Sequence, residues 1–219
     1  MPQAPPPAGD DAWLDPRVAR SRAVILAAAS EHFLHHGYVG TSVDDVAARA
    51  RVSKRTVYNI FGSKERLFRE ILDAAFATAE RFARQTAALL IDADDLEDAL
   101  VTAAVRLTRT VMDDRIVRLR RLLIGEAERF PELAREYYRR APGHVMEVLA
   151  DTMRLLTERG VLRVDDARLA SEHFAFLVMG APLDRALFTV DDSRPSADEL
   201  EARATSGVEA FLRAYRDPR

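Results

Sequence analysis

The chain contains no cysteine, only two lysines and a single tryptophan in 219 residues. Without cysteine it can form neither a disulfide nor a thiolate metal site, which suits a reducing compartment, and we expect a cytoplasmic protein. It also lacks a secretory apolar segment and any uninterrupted apolar run of about 18 residues. Nothing in the sequence therefore predicts export or a membrane partner.

Motifs for catalysis are absent as well. The sequence has no glycine-rich phosphate loop, no nucleophile elbow and no zinc-binding HExxH pattern. Its five histidines have no spacing that implies a catalytic triad. We predict that the protein is not an enzyme and has no cofactor or metal site; a helical enzyme or interaction module is the distant alternative.

Residues 41–68 have the pattern of two short helices joined by a turn. The first has apolar residues at i, i+3, i+4 and i+7, which are Val43, Val46, Ala47 and Ala50. Ser42 can cap its start, and it should end near Arg51 because Ser53 is the next good cap. The second helix has its own apolar face, at Val57, Ile60 and Phe61. This arrangement predicts a helix-turn-helix motif.

The solvent face of the second helix has side chains suited to DNA. With the apolar residues inward, those left outside are Lys54, Arg55, Tyr58 and Asn59, with Thr56 at the edge. Lysine and arginine pair with phosphates or guanine edges, and asparagine pairs with adenine. For any one of these residues an ordinary solvated surface is the alternative, but the set favours DNA reading.

The charge distribution agrees with this interpretation. Ser63 can cap a third helix with Lys64 in its first turn, and free amides beside an ammonium form a site for one phosphate. Between Arg17 and Lys64 the balance is +5, although the whole chain carries -3. Such asymmetry is typical of a DNA-binding domain attached to a domain that does not bind DNA.

Residues 23–68 resemble the TetR family of bacterial transcriptional regulators. The resemblance is carried by an apolar first helix ending at Gly37-Tyr38, followed by TSVDDVA, VSKRTVY and FGSKERLF. One departure is Arg51, where these turns usually carry glycine. A non-glycine residue in a left-handed turn costs about 1 kcal/mol, so either the turn is strained or Arg51 reaches a phosphate. We predict that DNA is contacted by Thr41, Ser53, Lys54, Arg55, Thr56, Tyr58, Asn59 and Lys64.

The chain is predicted to be all-α, with about nine helices in two domains. Residues 1–15 are proline-rich and should form a disordered arm. Residues 16–66 should form the helix-turn-helix domain, and residues 67–219 a C-terminal ligand-sensing and dimerisation domain. A long helix from Ser63 past residue 85 should link the two. Further helical patterns follow at 95–112, 115–128, 131–159, 166–189 and 196–216.

The last two helices have wide apolar stripes that must be buried against their own domain or against a twin. A helix-turn-helix usually reads two half-sites, which requires a two-fold dimer. The resemblance likewise implies a four-helix dimer interface. The residues predicted to form it are Leu169, Leu177, Leu183, Leu187, Leu200, Ala204, Val208, Phe211, Leu212 and Tyr215.

The middle helices are rich in methionine and aromatic residues, which make an adaptable lining for an apolar ligand. Each of them could equally be an ordinary core residue. The expectation of a ligand pocket comes mainly from the resemblance to the TetR family. Its predicted lining is Leu107, Val111, Leu119, Leu122, Leu123, Tyr138, Met146, Met153, Phe174 and Met179.

The resulting hypothesis is a homodimeric transcriptional repressor that binds a palindromic double-stranded DNA operator. An unidentified small apolar ligand would release it. The nearest alternative is an activator, or a constitutive regulator that needs no small ligand.

Overall fold

The computed structural model describes residues 16–189 and 195–216. Within these ranges the α-helices are α1 Pro16–Gly40, α2 Val43–Ala50, α3 Lys54–Phe61, α4 Lys64–Ile91, α5 Leu96–Val111, α6 Asp114–Gly125, α7 Pro131–Tyr138, α8 His144–Glu158, α9 Ala167–Phe188 and α10 Ala197–Tyr215. A π-helical turn, Arg139–Gly143, joins α7 to α8. The arm predicted at 1–15 lies outside the described residues.

The predicted all-α fold class is confirmed, since β pairing in the described ranges is limited to one isolated bridge between Leu162 and Arg216. The single pattern predicted at 131–159 divides at the π-turn into α7 and α8. Pro142 has no amide hydrogen to donate there. A Cβ on Gly143 would lie 2.8 Å from the Tyr138 carbonyl oxygen, so this approach requires glycine.

The described chain divides into two compact units, one ending at Ile71 and the other beginning at Leu72. The division falls inside α4, as does the boundary that the sequence analysis placed between residues 66 and 67. One continuous helix therefore begins in the first unit and continues through the second. Among the described residues, every helix is too short or too polar to cross a lipid bilayer.

The first unit is held together by a small aromatic core. Phe33 of α1 and Phe68 of α4 are almost fully buried, with ring centroids 5.1 Å apart. Arg22 of α1 adds a polar link: its guanidinium donates to Glu70 at 2.5 Å and lies 5.2 Å from the Phe61 ring centroid. These contacts join α1, α3 and α4, and thereby fix the orientation of α3 within this unit.

The second unit has its core among α5, α8, α9 and α10. Phe174 of α9 meets Phe211 of α10 edge to face, with centroids 5.4 Å apart. The two helices approach very closely at Gly207, where an added Cβ would lie 2.8 Å from the Leu177 carbonyl oxygen. This packing buries the apolar stripe of α10 inside its own subunit. The stripe is therefore not exposed to a second subunit.

Candidate functional site

The helix-turn-helix is formed by local hydrogen bonds that the sequence predicted. Ser42 Oγ accepts from the Asp45 amide at 3.1 Å, and Ser53 Oγ accepts from the Thr56 amide at 3.0 Å. Arg51 ends α2 in the left-handed conformation, with φ 54° and ψ 42°. Arg51 is a non-glycine residue at positive φ, so the strain expected of this turn is present. Its side chain is exposed.

The two faces of α3 are as distinct as the helical period predicts. Val57 is 2% exposed and packs inward, whereas Tyr58 is 44% exposed. The outer surface also contains three exposed polar side chains at the start and middle of the helix: Lys54, Arg55 and Asn59. We call the group Lys54, Arg55, Thr56, Tyr58 and Asn59 the reading face; its contact with DNA remains a prediction.

Lys54 already has an ionic partner in this structure. Its ammonium donates to Asp44 Oδ2 at 2.9 Å, and this hydrogen bond raises the pKa of Lys54 above its ordinary value. Asp44 lies ten residues earlier, in the first turn of α2, and sequence spacing does not indicate the pair. A phosphate would therefore compete with Asp44 for the same ammonium.

Removing that competitor should strengthen DNA binding. Asp44→Asn is expected to bind DNA about two- to fivefold more tightly at low salt, because an exposed ion pair is weak and screened. Fluorescence anisotropy with labelled DNA at two salt concentrations measures the change, which should shrink at the higher salt. Asp151→Asn makes the same charge change on α8 and should have little effect; equal or weaker binding by Asp44→Asn would contradict the expectation.

Thr41 does not have the position predicted for it. Its side chain is 2% exposed and its hydroxyl donates to the Gly37 carbonyl at 2.8 Å. That carbonyl belongs to the interruption of α1, where Gly37 has φ 75°. Thr41 thus satisfies a backbone group at the end of α1, and its buried hydroxyl is not available to a phosphate.

Lys64 lies at the predicted helix start. Ser63 Oγ accepts from the Arg66 amide at 3.1 Å, as expected of a cap for α4. The Lys64 ammonium lies 4.5 Å from the Tyr38 ring centroid, a cation–π contact that holds the half-buried side chain beside the first turn. A lysine ammonium therefore lies beside the start of α4, where the sequence predicts a phosphate site; phosphate binding there stays a prediction.

The predicted dimer residues fall into three groups, which are exposed, half-buried and buried. On α9, Leu169 and Leu177 are 46% and 41% exposed, and the sequence analysis missed two more exposed residues, Phe176 at 74% and Phe188 at 82%. Leu183, Leu187 and Tyr215 are half-buried. The prediction for α10 is corrected, because five of its side chains pack in the core of their own subunit: Leu200, Ala204, Val208, Phe211 and Leu212.

A cavity of about 60 Å³ lies in the second unit, bordered by α4, α5, α6, the end of α7, the π-turn, the start of α8 and α9. Four of the predicted pocket residues border it: Leu107, Val111, Met146 and Met179. Residues outside the predicted lining that also border the cavity include Phe82, Tyr137 and Arg120. The π-turn contributes Ala141 and Pro142, so the irregular backbone forms part of the wall.

The other predicted pocket residues are corrected. Tyr138 is 63% exposed, because α7 turns the adjacent Tyr137 inward instead. Met153 and Phe174 are each 1% exposed and belong to the core away from the cavity. The remaining three do not border the cavity either: Leu119, Leu122 and Leu123. Helical period identified inward side chains, but it could not indicate which of them border a void.

Comparison with known proteins agrees with the class that this geometry defines, a helix-turn-helix DNA-binding regulator. Residues 25–71 match the family described as bacterial regulatory proteins, tetR family. Residues 98–217 match the AefR-like transcriptional repressor C-terminal domain. The chain belongs to the TetR family of bacterial transcriptional regulators, as the sequence predicted, and is not an enzyme.

Individual relatives match along most of the chain. The HTH-type transcriptional repressor Rv3405c of Mycobacterium tuberculosis is 28% identical over 198 residues, covering 88% of this chain and 89% of that protein. The crystal structure of a TetR-family regulator from Mesorhizobium loti is 34% identical and has a TM-score of 0.78, covering 92% of this chain and 100% of that one. The flavonoid-responsive regulator FrrA is 28% identical with a TM-score of 0.69, at coverages of 92% and 100%.

Proposed function

We propose that the protein is a cytoplasmic, dimeric repressor that binds a palindromic DNA operator through α3 and is released by a small ligand. The observation that carries the proposal is the reading face: basic, amide and hydroxyl side chains share the exposed side of a helix capped at Ser53. A helix of this kind fits the major groove. Ser53 and Lys64 would hold phosphates at the starts of α3 and α4. The similarity to Rv3405c, which is named a transcriptional repressor, supports repression over activation.

The proposed dimer uses the exposed apolar side chains of α9. At 100° per residue, Leu169, Phe176, Leu177 and Phe188 lie within about a third of the helix circumference. Large apolar side chains exposed on one helix face usually mark a binding surface. A second copy is the proposed partner because a palindromic operator requires two reading faces related by a two-fold axis.

On α10, small residues would contact the partner in place of the buried stripe. Ala202, Ser206, Ala210 and Ala214 recur every four residues and are exposed or half-buried. This relocates the predicted four-helix interface from the inward side of α10 to its outer side, next to the exposed face of α9.

The proposed ligand site is the cavity of the second unit. At about 60 Å³ it holds only a few waters, so a larger ligand must displace its walls. One wall is α4, which contributes Ala75, Thr78, Ala79 and Phe82. Because α4 is continuous from Lys64, a shift of this wall would move the helix that begins at the proposed phosphate site. FrrA, by its name a flavonoid-responsive regulator, supports ligand control.

The test is selection of bound sequences from a random double-stranded DNA pool, using the purified full-length protein at near-physiological salt. We expect a palindrome whose half-sites are about 10 base pairs apart or a multiple of that spacing. Failure of a folded, dimeric protein to enrich any sequence would overturn the proposed operator binding. An activator or constitutive regulator would also enrich an operator. Transcription of a reporter placed behind that operator, measured with and without the gene for this protein, distinguishes repression from activation.

A further inference from the structure

Among the residues that the structure describes, Arg120 is the only charged one that borders the cavity. It belongs to α6, whose sequence DRIVRLRRLLIG contains several arginines with different environments. Arg118 donates to Asp114 at 2.7 Å, within the same helix. Arg121 donates to the Ala186 and Thr189 carbonyls and so satisfies the C-terminal end of α9. These two neighbours have structural partners, whereas Arg120 is directed to the cavity.

The Nε atom of Arg120 is buried and has no hydrogen-bond partner among the described residues. Within residues 16–189 and 195–216, no aspartate or glutamate borders the cavity. A buried N–H of a permanently charged guanidinium is unfavourable without an acceptor, because it has lost water and gained nothing in return. A bound ligand with a hydrogen-bond acceptor next to the Arg120 Nε–H would remove this cost.

The rest of the cavity wall is mainly apolar, and its two threonine hydroxyls are already used as donors. Thr78 donates to the Ala74 carbonyl at 3.0 Å, and Thr110 donates to the Arg106 carbonyl at 2.8 Å. Neither threonine hydroxyl hydrogen is free for an anionic group. Of the described side chains that border the cavity, the neutral Tyr137 phenol is a further hydroxyl, and Arg120 is the one that carries a positive charge to offset an anion. Met146 and Met179 are flexible enough to move aside for an apolar body larger than the present space.

We propose that the ligand is an apolar carboxylic acid, bound as its anion, with the carboxylate on Arg120 and the apolar part between α4, α5 and α8. The inference rests on the proposed ligand control and names its chemical class. A carboxylate suits this position because guanidinium N–H groups donate to two carboxylate oxygens in parallel and leave no buried donor unmet. A neutral ligand of equal shape leaves the cation without its counter-charge.

The experiment compares each acid with its neutral amide by calorimetric titration of the full-length dimer. The probes are 2-naphthoate with 2-naphthamide, and octanoate with octanamide. In the unmodified protein, at least one acid should bind about tenfold or more tightly than its amide. In Arg120→Met this preference should fall to about onefold, whereas Arg118→Met, which changes the same charge on the same helix outside the cavity, should keep it.

Thermal unfolding without ligand supplies an independent readout. Arg120→Met should raise the melting temperature by about 2–4 °C, because an apolar chain of similar length replaces a side chain whose buried Nε–H has no acceptor among the described residues. A structural arginine would give the opposite sign. If Arg120→Met fails to fold, Arg120→Gln, which keeps a polar side chain without the charge, should fold and lose the preference.

Equal affinity for both members of each pair, no binding by either acid, or an acid preference retained in folded Arg120→Met or Arg120→Gln would overturn the inference. Failure of the proposed function gives a different result. If only the ligand class is right, acids bind through Arg120 but the protein stays on the selected operator. If the ligand class and the ligand-controlled release are both right, the acid releases the unmodified protein from the operator and does not release Arg120→Met.

Discussion

Phe176→Glu is expected to convert the protein to a monomer and to weaken specific operator binding by about 10³-fold, towards its non-specific level. Phe176 is 74% exposed in the single chain, so its ring does not contribute to the core of its own subunit. Burial of a phenylalanine stabilises an interface by about 1.5–3 kcal/mol, and the two-fold axis places two copies in it. The substitution also introduces two carboxylates that must be desolvated without a partner.

Two measurements are needed for this prediction. Light scattering after size-exclusion chromatography gives the oligomeric state, and fluorescence anisotropy gives affinity for the selected operator and for an unrelated duplex. Tyr138→Glu is the matched control: Tyr138 is 63% exposed on α7, so it also replaces an exposed aromatic side chain with a carboxylate. A dimeric Phe176→Glu protein with full operator affinity would place the interface on another surface.

Substitutions in the reading face and at the α4 start should change DNA binding in different ways. Asn59→Ala should relax the sequence preference at one position of each half-site, costing about 1–3 kcal/mol per bidentate contact that it loses. Arg55→Ala should act similarly if its guanidinium reads guanine. Lys64→Gln should weaken all DNA sequences about equally and reduce the salt dependence, because its target is a phosphate.

The affinity of each variant for a set of single-base operator variants, measured at three salt concentrations, separates the two kinds of contact. Arg154→Ala removes an exposed arginine from α8 and should leave both the preference and the salt slope unchanged. If Asn59→Ala, Arg55→Ala and Lys64→Gln all keep the original binding, α3 and the start of α4 do not form the DNA-binding surface.

Much of the helix-turn-helix could be predicted from the sequence because its determinants are local. The caps at Ser42, Ser53 and Ser63 bond amides three residues away, and apolar spacing fixes which sides of α2 and α3 face inward. The left-handed turn at Arg51 was expected from the resemblance, in which this position usually carries glycine, and the structure has φ 54° there. The fold class was equally predictable, since helical period extends through every segment long enough to form an element.

Contacts between distant parts of the chain were not predictable in the same way. Thr41 looked like a phosphate ligand, but the interruption of α1 at Gly37 gives its hydroxyl a buried carbonyl to satisfy. Lys54 pairs with Asp44 on the preceding helix, and no intrahelical spacing connects them. In both cases the sequence showed a polar side chain able to bind phosphate, but it did not show which group of the protein that side chain contacts.

Local sequence patterns were enough to predict the all-α fold and the capped helix-turn-helix, because hydrogen bonds and side-chain period within one or two helical turns specify those features. The TetR family was identified by the resemblance of residues 23–68 and is shown by the matches over residues 25–71 and 98–217. The tertiary structure decided that the α10 stripe is used inside its own subunit, that α9 exposes Phe176 and Phe188, and that Arg120 borders a cavity without a counter-charge. Those outcomes depend on how helices far apart in the chain fill space against one another, and an amphipathic pattern is the same whether its apolar face meets a neighbour, a twin or a void.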